Sequence, residues 1–418
     1  MPGMWFLKGN QMQDKTTSPI NRTLASLNQS VLLVSFPFFI LGLLLPVYGK
    51  AIGADVVEIG LFFSAFSLMT VLLRPVVGWA LDRLGRRPFI LAGLGGYALT
   101  MLSFAFIDQV WGVIAARIIQ GISSSFFWLA VTAMTADLAP SSERGRSFGS
   151  ITESSSRGSI IGAFVGFTLL NVPFTLELGS YRLSSWSLLF IVYGSVSLAA
   201  MLMALRRLPE THPAVTTRKQ QPLVWSRAWL LLLLVTLVTG ASWAMVSPIM
   251  IIFLQDKLQV GLDTLSWAFL PSGLVWALLP SRLGRLADRF GRKPLMVLGL
   301  VAASASSFLV PYLGGVVALA LVWAFQALCY AAGDPAEQAL VSDLTHSDQR
   351  GRAYGLYVMC ADLGATIGPL GGAYLYQQIG VRAPFFANAA LLIACALVLA
   401  LFLKEPARPF LAPIGGTA

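Results

Sequence analysis

Asp334 and Glu337 stand three residues apart in the stretch AAGDPAEQAL, a spacing that puts both carboxylates on one face of a helix. Asp362 lies in another apolar stretch, and Arg117, Glu153 and Arg157 lie in two more. Holding an ionisable side chain in hydrocarbon costs roughly 2.5 to 3.5 kcal/mol even on insertion scales, so each of these six is a functional candidate by default. The chemistry open to carboxyl groups there is proton carriage, because low dielectric and like-charged neighbours both favour the protonated form and a change of surroundings releases the proton. Both histidines, His212 and His346, fall in polar loops, which leaves proton transfer to the carboxylates. Glu153 and Arg157 are four residues apart and can either neutralise each other or take part in function. Arg74, one turn before a polar loop, can snorkel out of the hydrocarbon.

The segments that position these residues are membrane spans. The chain has 418 residues, 56% hydrophobic and 11% charged, with a mean hydropathy of +0.74, against roughly 25% charged residues in soluble domains. Twelve windows of about 20 predominantly apolar residues recur along it, each long enough to cross a bilayer. Residues 1–26 form a polar tail without the basic, apolar and small-residue order of a cleaved leader, so the first span is expected to remain. With the N-terminus in the cytoplasm, only Lys50, Arg182, Lys257 and Arg382 of the 29 Lys and Arg fall outside, as the positive-inside rule requires. The net charge of +10 then reflects short loops beside anionic lipid headgroups rather than a nucleic-acid surface. Cys329, Cys360 and Cys395 lie inside predicted spans and are read as packing residues, with no metal-ligand spacing.

The chain is written twice. An offset of 206 residues carries Gly78, Asp82, Arg83, Gly85, Arg86 and Pro88 onto Gly284, Asp288, Arg289, Gly291, Arg292 and Pro294, with Arg87 falling on Lys293 (284 − 78 = 206). The same shift takes Gln120 to Gln326, Asp137 to Asp343, and Gly149, Gly158, Gly162 and Gly166 to Gly355, Gly364, Gly368 and Gly372. Each half holds six spans, and an even number makes the halves parallel repeats about an axis along the membrane normal. The predicted organisation is a cytoplasmic tail (1–26), a six-helix bundle (27–206), a cytoplasmic linker (207–228), a second six-helix bundle (229–404) and a cytoplasmic tail (405–418).

The doubled loop GWALDRLGRR, with its partner GRLADRFGRK, resembles the signature loop of the major facilitator superfamily, as do the twelve spans and the 6+6 repeat. The resemblance covers nearly the whole chain and implies an all-α membrane fold of two pseudo-symmetric six-helix bundles. It implies a conformational latch at Gly78, Asp82, Arg83, Arg86, Arg87 and Asp137, mirrored by Gly284, Asp288, Arg289, Arg292 and Asp343. Physically, the glycines admit a tight turn, and the arginines can bridge to Asp137 at the end of the fourth span. The stretch RIIQG, with Arg117 and Gln120, is similar to the family motif whose arginine is linked to proton coupling. The glycine spacing of the fifth span resembles the motif of proton-driven antiporters, departing from it at Ala163, where a proline is usual.

Residues that break the repeat are the remaining functional candidates. Arg117, Glu153 and Arg157 map onto Trp323, Met359 and Leu363, while Asp334, Glu337 and Asp362 map back onto Trp128, Val131 and Ser156. Counting about 1.5 Å per residue puts Glu337 roughly 9 Å deep, and Asp334 and Asp362 roughly 13 and 14 Å. These acids can carry protons, or one of them can pair with Arg157 or Arg117 as a static bridge. In the family, spans one, four, seven and ten line a central cavity, so the resemblance places Arg117, Gln120, Gln326, Asp334 and Glu337 near the substrate path. Trp128, Trp243, Trp323 and Tyr330 fall on the same spans and suit amphipathic or cationic organic substrates. Pro248 and Pro335 interrupt spans seven and ten and are candidate hinges.

The expectation is a proton-coupled exporter of a small organic molecule that works by alternating access. It would act as a monomer in a bacterial inner membrane with both termini cytoplasmic, and its partners would be substrate, protons and lipid, with no nucleic acid, metal or cofactor. A symporter or facilitator for uptake is the alternative. A lipid scramblase or membrane-embedded enzyme is disfavoured, because no nucleophile, metal cluster or phosphate loop is present.

Overall fold

In the computed structural model, residues 19–138, 144–178, 181–211, 225–279, 291–344 and 350–403 are described. The loop residues Gly284, Asp288 and Arg289 and the side chains of Asp82, Asp334 and Asp343 lie outside the described residues. Twelve helical passes run through the described chain. The first is broken into α1 (Pro19–Val34), α2 (Phe38–Leu43) and α3 (Leu45–Ala51), followed by α4 (Val56–Leu84), α5 (Arg87–Phe104), α6 (Val110–Leu138), α7 (Arg144–Asn171) and α8 (Ser185–Arg207). The second half comprises α9 (Arg227–Leu258), α10 (Leu262–Leu278), α11 (Arg292–Leu309), α12 (Val316–Asp343), α13 (Arg350–Gln378) and α14 (Ala383–Phe402). A β-hairpin joins α7 to α8, with Thr175–Leu178 (β1) antiparallel to Tyr181–Ser184 (β2).

Eight passes are long and apolar enough on their own to cross a membrane. The other four, α5, α7, α10 and α13, are shorter or carry more polar residues, and they pack against those eight. The break in the first pass has a local cause. Pro37 has no N–H to donate to the Leu33 carbonyl, which instead accepts from Phe36 N at 3.3 Å, and Pro46 starts α3 afresh after Leu44.

Glycines allow close helix approaches, and repeat-related glycines do so in both halves. A Cβ on Gly158 or Gly162 of α7 would collide with the carbonyls of Leu32 and Phe36 in the first pass. A Cβ on Gly364, Gly368 or Gly372 of α13 would meet the carbonyls of Leu237, Ala241 and Met245 on α9. In a bilayer, helix association relies on such backbone contact, because lipid is as apolar as the side chains it replaces. The glycine row that resembles an antiporter motif is therefore also the seam that builds each bundle.

The cores show how the halves meet. One apolar cluster joins both halves, from Leu41, Leu44 and Leu45 to Val246, Ile251 and Ile252, near the end where Lys50 and Asp256 lie. At the opposite end, where α1 begins and α14 finishes, each half keeps a core of its own. The first half packs around Leu27, Leu94 and Phe127, and the second around Trp229, Leu340 and Leu399. The two bundles thus close together at one end and separate at the other. Along their flank, α4 lies against α13.

Candidate functional site

Between the bundles lies a cavity of about 320 Å³ whose walls come from both halves. Phe38, Phe63, Phe66, Tyr97 and Trp128 line the first-half wall, and Trp243, Pro248 and Pro369 line the second. Trp243, in the second-half wall, is 61% exposed.

Arg117 sits in the cavity wall and is itself buried. Its Nε donates to the Phe62 carbonyl at 2.8 Å and its Nη1 to Gln120 Oε1 at 2.6 Å. The guanidinium lies 4.4 Å from the Phe66 ring centroid and 5.3 Å from that of Phe63. No carboxylate among the described residues pairs with it. A carbonyl, an amide oxygen and two ring faces offset part of its desolvation without neutralising it.

The acids of the second half face different surroundings. Asp362 Oδ2 lies 2.6 Å from Arg74 Nη2, an ion pair between α13 and α4 and therefore between the two bundles. Arg74 does not snorkel, because α4 presents it to α13 rather than to the loop. The static bridge drawn to Arg117 or Arg157 is made to Arg74 instead. Glu337 points into the second bundle, where Thr236 Oγ1 donates to its Oε1 at 3.1 Å and a small pocket is lined by Thr239, Met296 and Tyr330. Asp334 lies on α12, one turn before Glu337. Glu153 and Arg157 pair with each other on α7, and both are exposed.

The aromatic candidates divide. Trp128 and Trp243 line the central cavity with Gln120. Tyr330 borders the Glu337 pocket and packs against Trp243 at 6.2 Å. Trp323 is buried in the shared core, 4.5 Å from Phe269, and Gln326 lines neither cavity. Residue type marked these side chains in the sequence, but which helix face they occupy depends on packing between helices.

At the loop after α4, Gly85 has φ of +89°, and its repeat partner Gly291 has +100°, backbone conformations that suit glycine. Arg86 is buried, and its Nε lies 3.1 Å from Asp137 Oδ2. Arg83 stacks over Trp79 at 4.2 Å. A participant not singled out in the sequence is Glu210, just after α8. Its carboxylate accepts from the backbone N–H groups of Arg86 at 2.6 Å and Arg87 at 3.2 Å, so that it caps the start of α5. Gly78 has open space where a Cβ would be.

Comparison with known proteins agrees with the duplicated architecture. The Major Facilitator Superfamily profile matches twice, over residues 30–234 and 232–417. The chain is 25% identical to the tetracycline resistance protein, class H, of Pasteurella multocida, over 81% of this chain and 85% of that one. It is 24% identical to multidrug resistance protein 2 of Bacillus subtilis, over 87% and 91%. Among solved structures, a bacterial homolog of the human lysosomal transporter Spinster, described as inward-facing and unoccupied, has a TM-score of 0.73. It is 14% identical to this chain and covers 94% of it, with 99% of its own length aligned.

Proposed function

The chain belongs to the Major Facilitator Superfamily, and on that footing we propose that it exports a small organic molecule in exchange for protons by alternating access. The observation that carries this reading is the cavity walled by both bundles, which share one core at one end and keep separate cores at the other, read here as the open end. The relatives named for drug resistance support export over uptake. Its role is transport rather than catalysis, and the monomer is the working unit.

The open end, where α1 begins and α14 finishes, also holds Arg86, Arg87, Arg206, Arg207, Arg292 and Lys293, so the positive-inside rule makes it cytoplasmic in a bacterial inner membrane. The same rule assigns the tails and the 207–228 linker to the cytoplasm, and the conformation described is the one that loads substrate from there. Asp334, Glu337 and Asp362 serve as proton carriers. Protonating Asp362 removes the charge that holds Arg74, which frees α13 from α4 and ties proton binding to movement between the bundles. Arg117 holds Gln120 in the cavity wall. The paired Glu153 and Arg157 stand exposed on α7 and neutralise each other. The loops around Asp82, Arg83, Arg86, Arg87 and Asp137, with Asp288, Arg289, Arg292 and Asp343 in the second half, latch one of the two states.

The test is accumulation in inside-out vesicles containing the protein. Acidifying the lumen should drive a panel of aromatic compounds inward against their gradient. Equilibration without accumulation for every compound would contradict export by proton exchange.

A further inference from the structure

The central cavity presents a single formal charge among its described lining residues, and that charge is positive. Arg117 spends Nε on a backbone carbonyl and Nη1 on a neutral amide, and among the described residues no acceptor engages Nη2. The ion pairs nearest in the fold are closed on themselves, since Asp362 is matched by Arg74 and Glu153 by Arg157. A cationic ligand entering this cavity would meet a buried guanidinium with no described carboxylate to offset it. An anionic ligand would supply the charge that the site lacks, and a carboxylate or enolate accepts well from the planar guanidinium fork. The aromatic walls set the rest of the shape. Phe38, Phe66, Tyr97, Trp128 and Trp243 offer flat apolar surface on several sides of a space of about 320 Å³.

We infer that the cavity selects flat aromatic monoanions over cations of the same size, with the anionic group seated on Arg117. This deepens the transport reading and rests on it only in taking the central cavity as the place where substrate is held. The aromatic lining alone would equally suit organic cations, and Arg117 is what reverses that preference.

The experiment compares three probes of matched shape, 1-naphthoate, 1-naphthamide and 1-naphthylmethylammonium, by titration into the full-length protein in zwitterionic-lipid nanodiscs, with empty nanodiscs as background. Naphthoate should bind most tightly. Arg117→Gln should weaken naphthoate by about 10- to 100-fold, the range for a hydrogen bond to a charged group, and leave naphthamide within about twofold. Arg117→Lys, which keeps the charge without the fork, should recover part of that loss. Because the probe series is also read on the unaltered protein, a variant that fails to fold does not remove the test. Tighter binding of the ammonium probe, equal binding of all three, no binding above background, or an Arg117→Gln variant that melts normally and holds naphthoate as before would each overturn the inference. Binding is read without any gradient, so a protein that prefers cations yet still pumps refutes the anion preference alone. One that binds naphthoate but pumps nothing refutes the transport reading alone.

Discussion

Lys50 Nζ lies 2.9 Å from Asp256 Oδ1, and the two residues are equivalent positions of the repeat, separated by the same 206 residues that relate the halves. The pseudo-twofold axis therefore passes between two ends that touch, and opposite charges stand where a perfect duplicate would put like ones. Both side chains are more than half exposed (56% and 55%), so the pair is worth no more than about 1 kcal/mol. Most of the closure at this end comes from the shared apolar core behind it.

A charge at that contact should bias the two states without deciding between them. Lys50→Glu places two acids together and should shift the population toward the state open at this end by about fivefold at most, while the swap Lys50→Asp with Asp256→Lys should restore it. Distance measurements between spin labels at the ends of α3 and α9 report both. An unchanged distribution in the single variant would show that the pair is incidental.

The Arg74–Asp362 pair is three-quarters buried at the flank where the bundles meet, so removing one partner strands the other. Asp362→Asn or Arg74→Gln alone should lower the melting temperature, by an amount corresponding to about 1–3 kcal/mol, and the double variant should recover much of that loss. A thermal-unfolding double-mutant cycle measures the coupling. Strict additivity would mean that the two side chains do not interact.

Glycines of the two seams are expected to respond as pairs. Gly158→Ala and Gly364→Ala put a methyl against a carbonyl in both bundles and should each destabilise strongly. Gly149→Ala and Gly355→Ala meet open space on the same helices and should be neutral or stabilising by about 0.5–1 kcal/mol. Yield and melting temperature of the four proteins give the comparison. A tolerated Gly158→Ala would argue against the close crossing of α7 on the first pass.

Glu210→Gln keeps the shape of the α5 cap and removes its charge. The expected loss is about 1 kcal/mol, diminished by salt, because the carboxylate faces both the helix N-terminus and Arg86. Melting at low and high ionic strength checks the sign. A variant that is unchanged at low salt would show that the cap is not electrostatic.

The repeat was legible because it is carried by local chemistry. Gly85 and Gly291 require the same unusual backbone, and the glycine rows of α7 and α13 are needed wherever two helices cross at backbone contact. Contacts between distant helices were not legible. Arg74 read as a snorkelling residue because nothing in its own pass identifies α13 as its neighbour, and Asp362 carried no mark of a partner 288 residues away (362 − 74). Trp323 and Trp243 are alike in sequence context, yet one is packed against Phe269 and the other opens onto the cavity. Glu210 sits in a stretch that reads as a tether, and only the return of α8 beside α5 gives it a role. The breaks at Pro37 and Pro46 were within reach of the sequence, since proline interrupts a helix wherever it stands.

The most direct measurement of coupled export uses the acids of the second bundle. In proteoliposomes, an aromatic compound that the protein binds should move opposite to an imposed proton gradient. Asp334→Asn and Glu337→Gln should still bind that compound with its original affinity and lose the gradient-driven movement. Variants that pump at the original rate, or a compound that moves in the same direction as the protons, would contradict proton-driven export through these carboxylates.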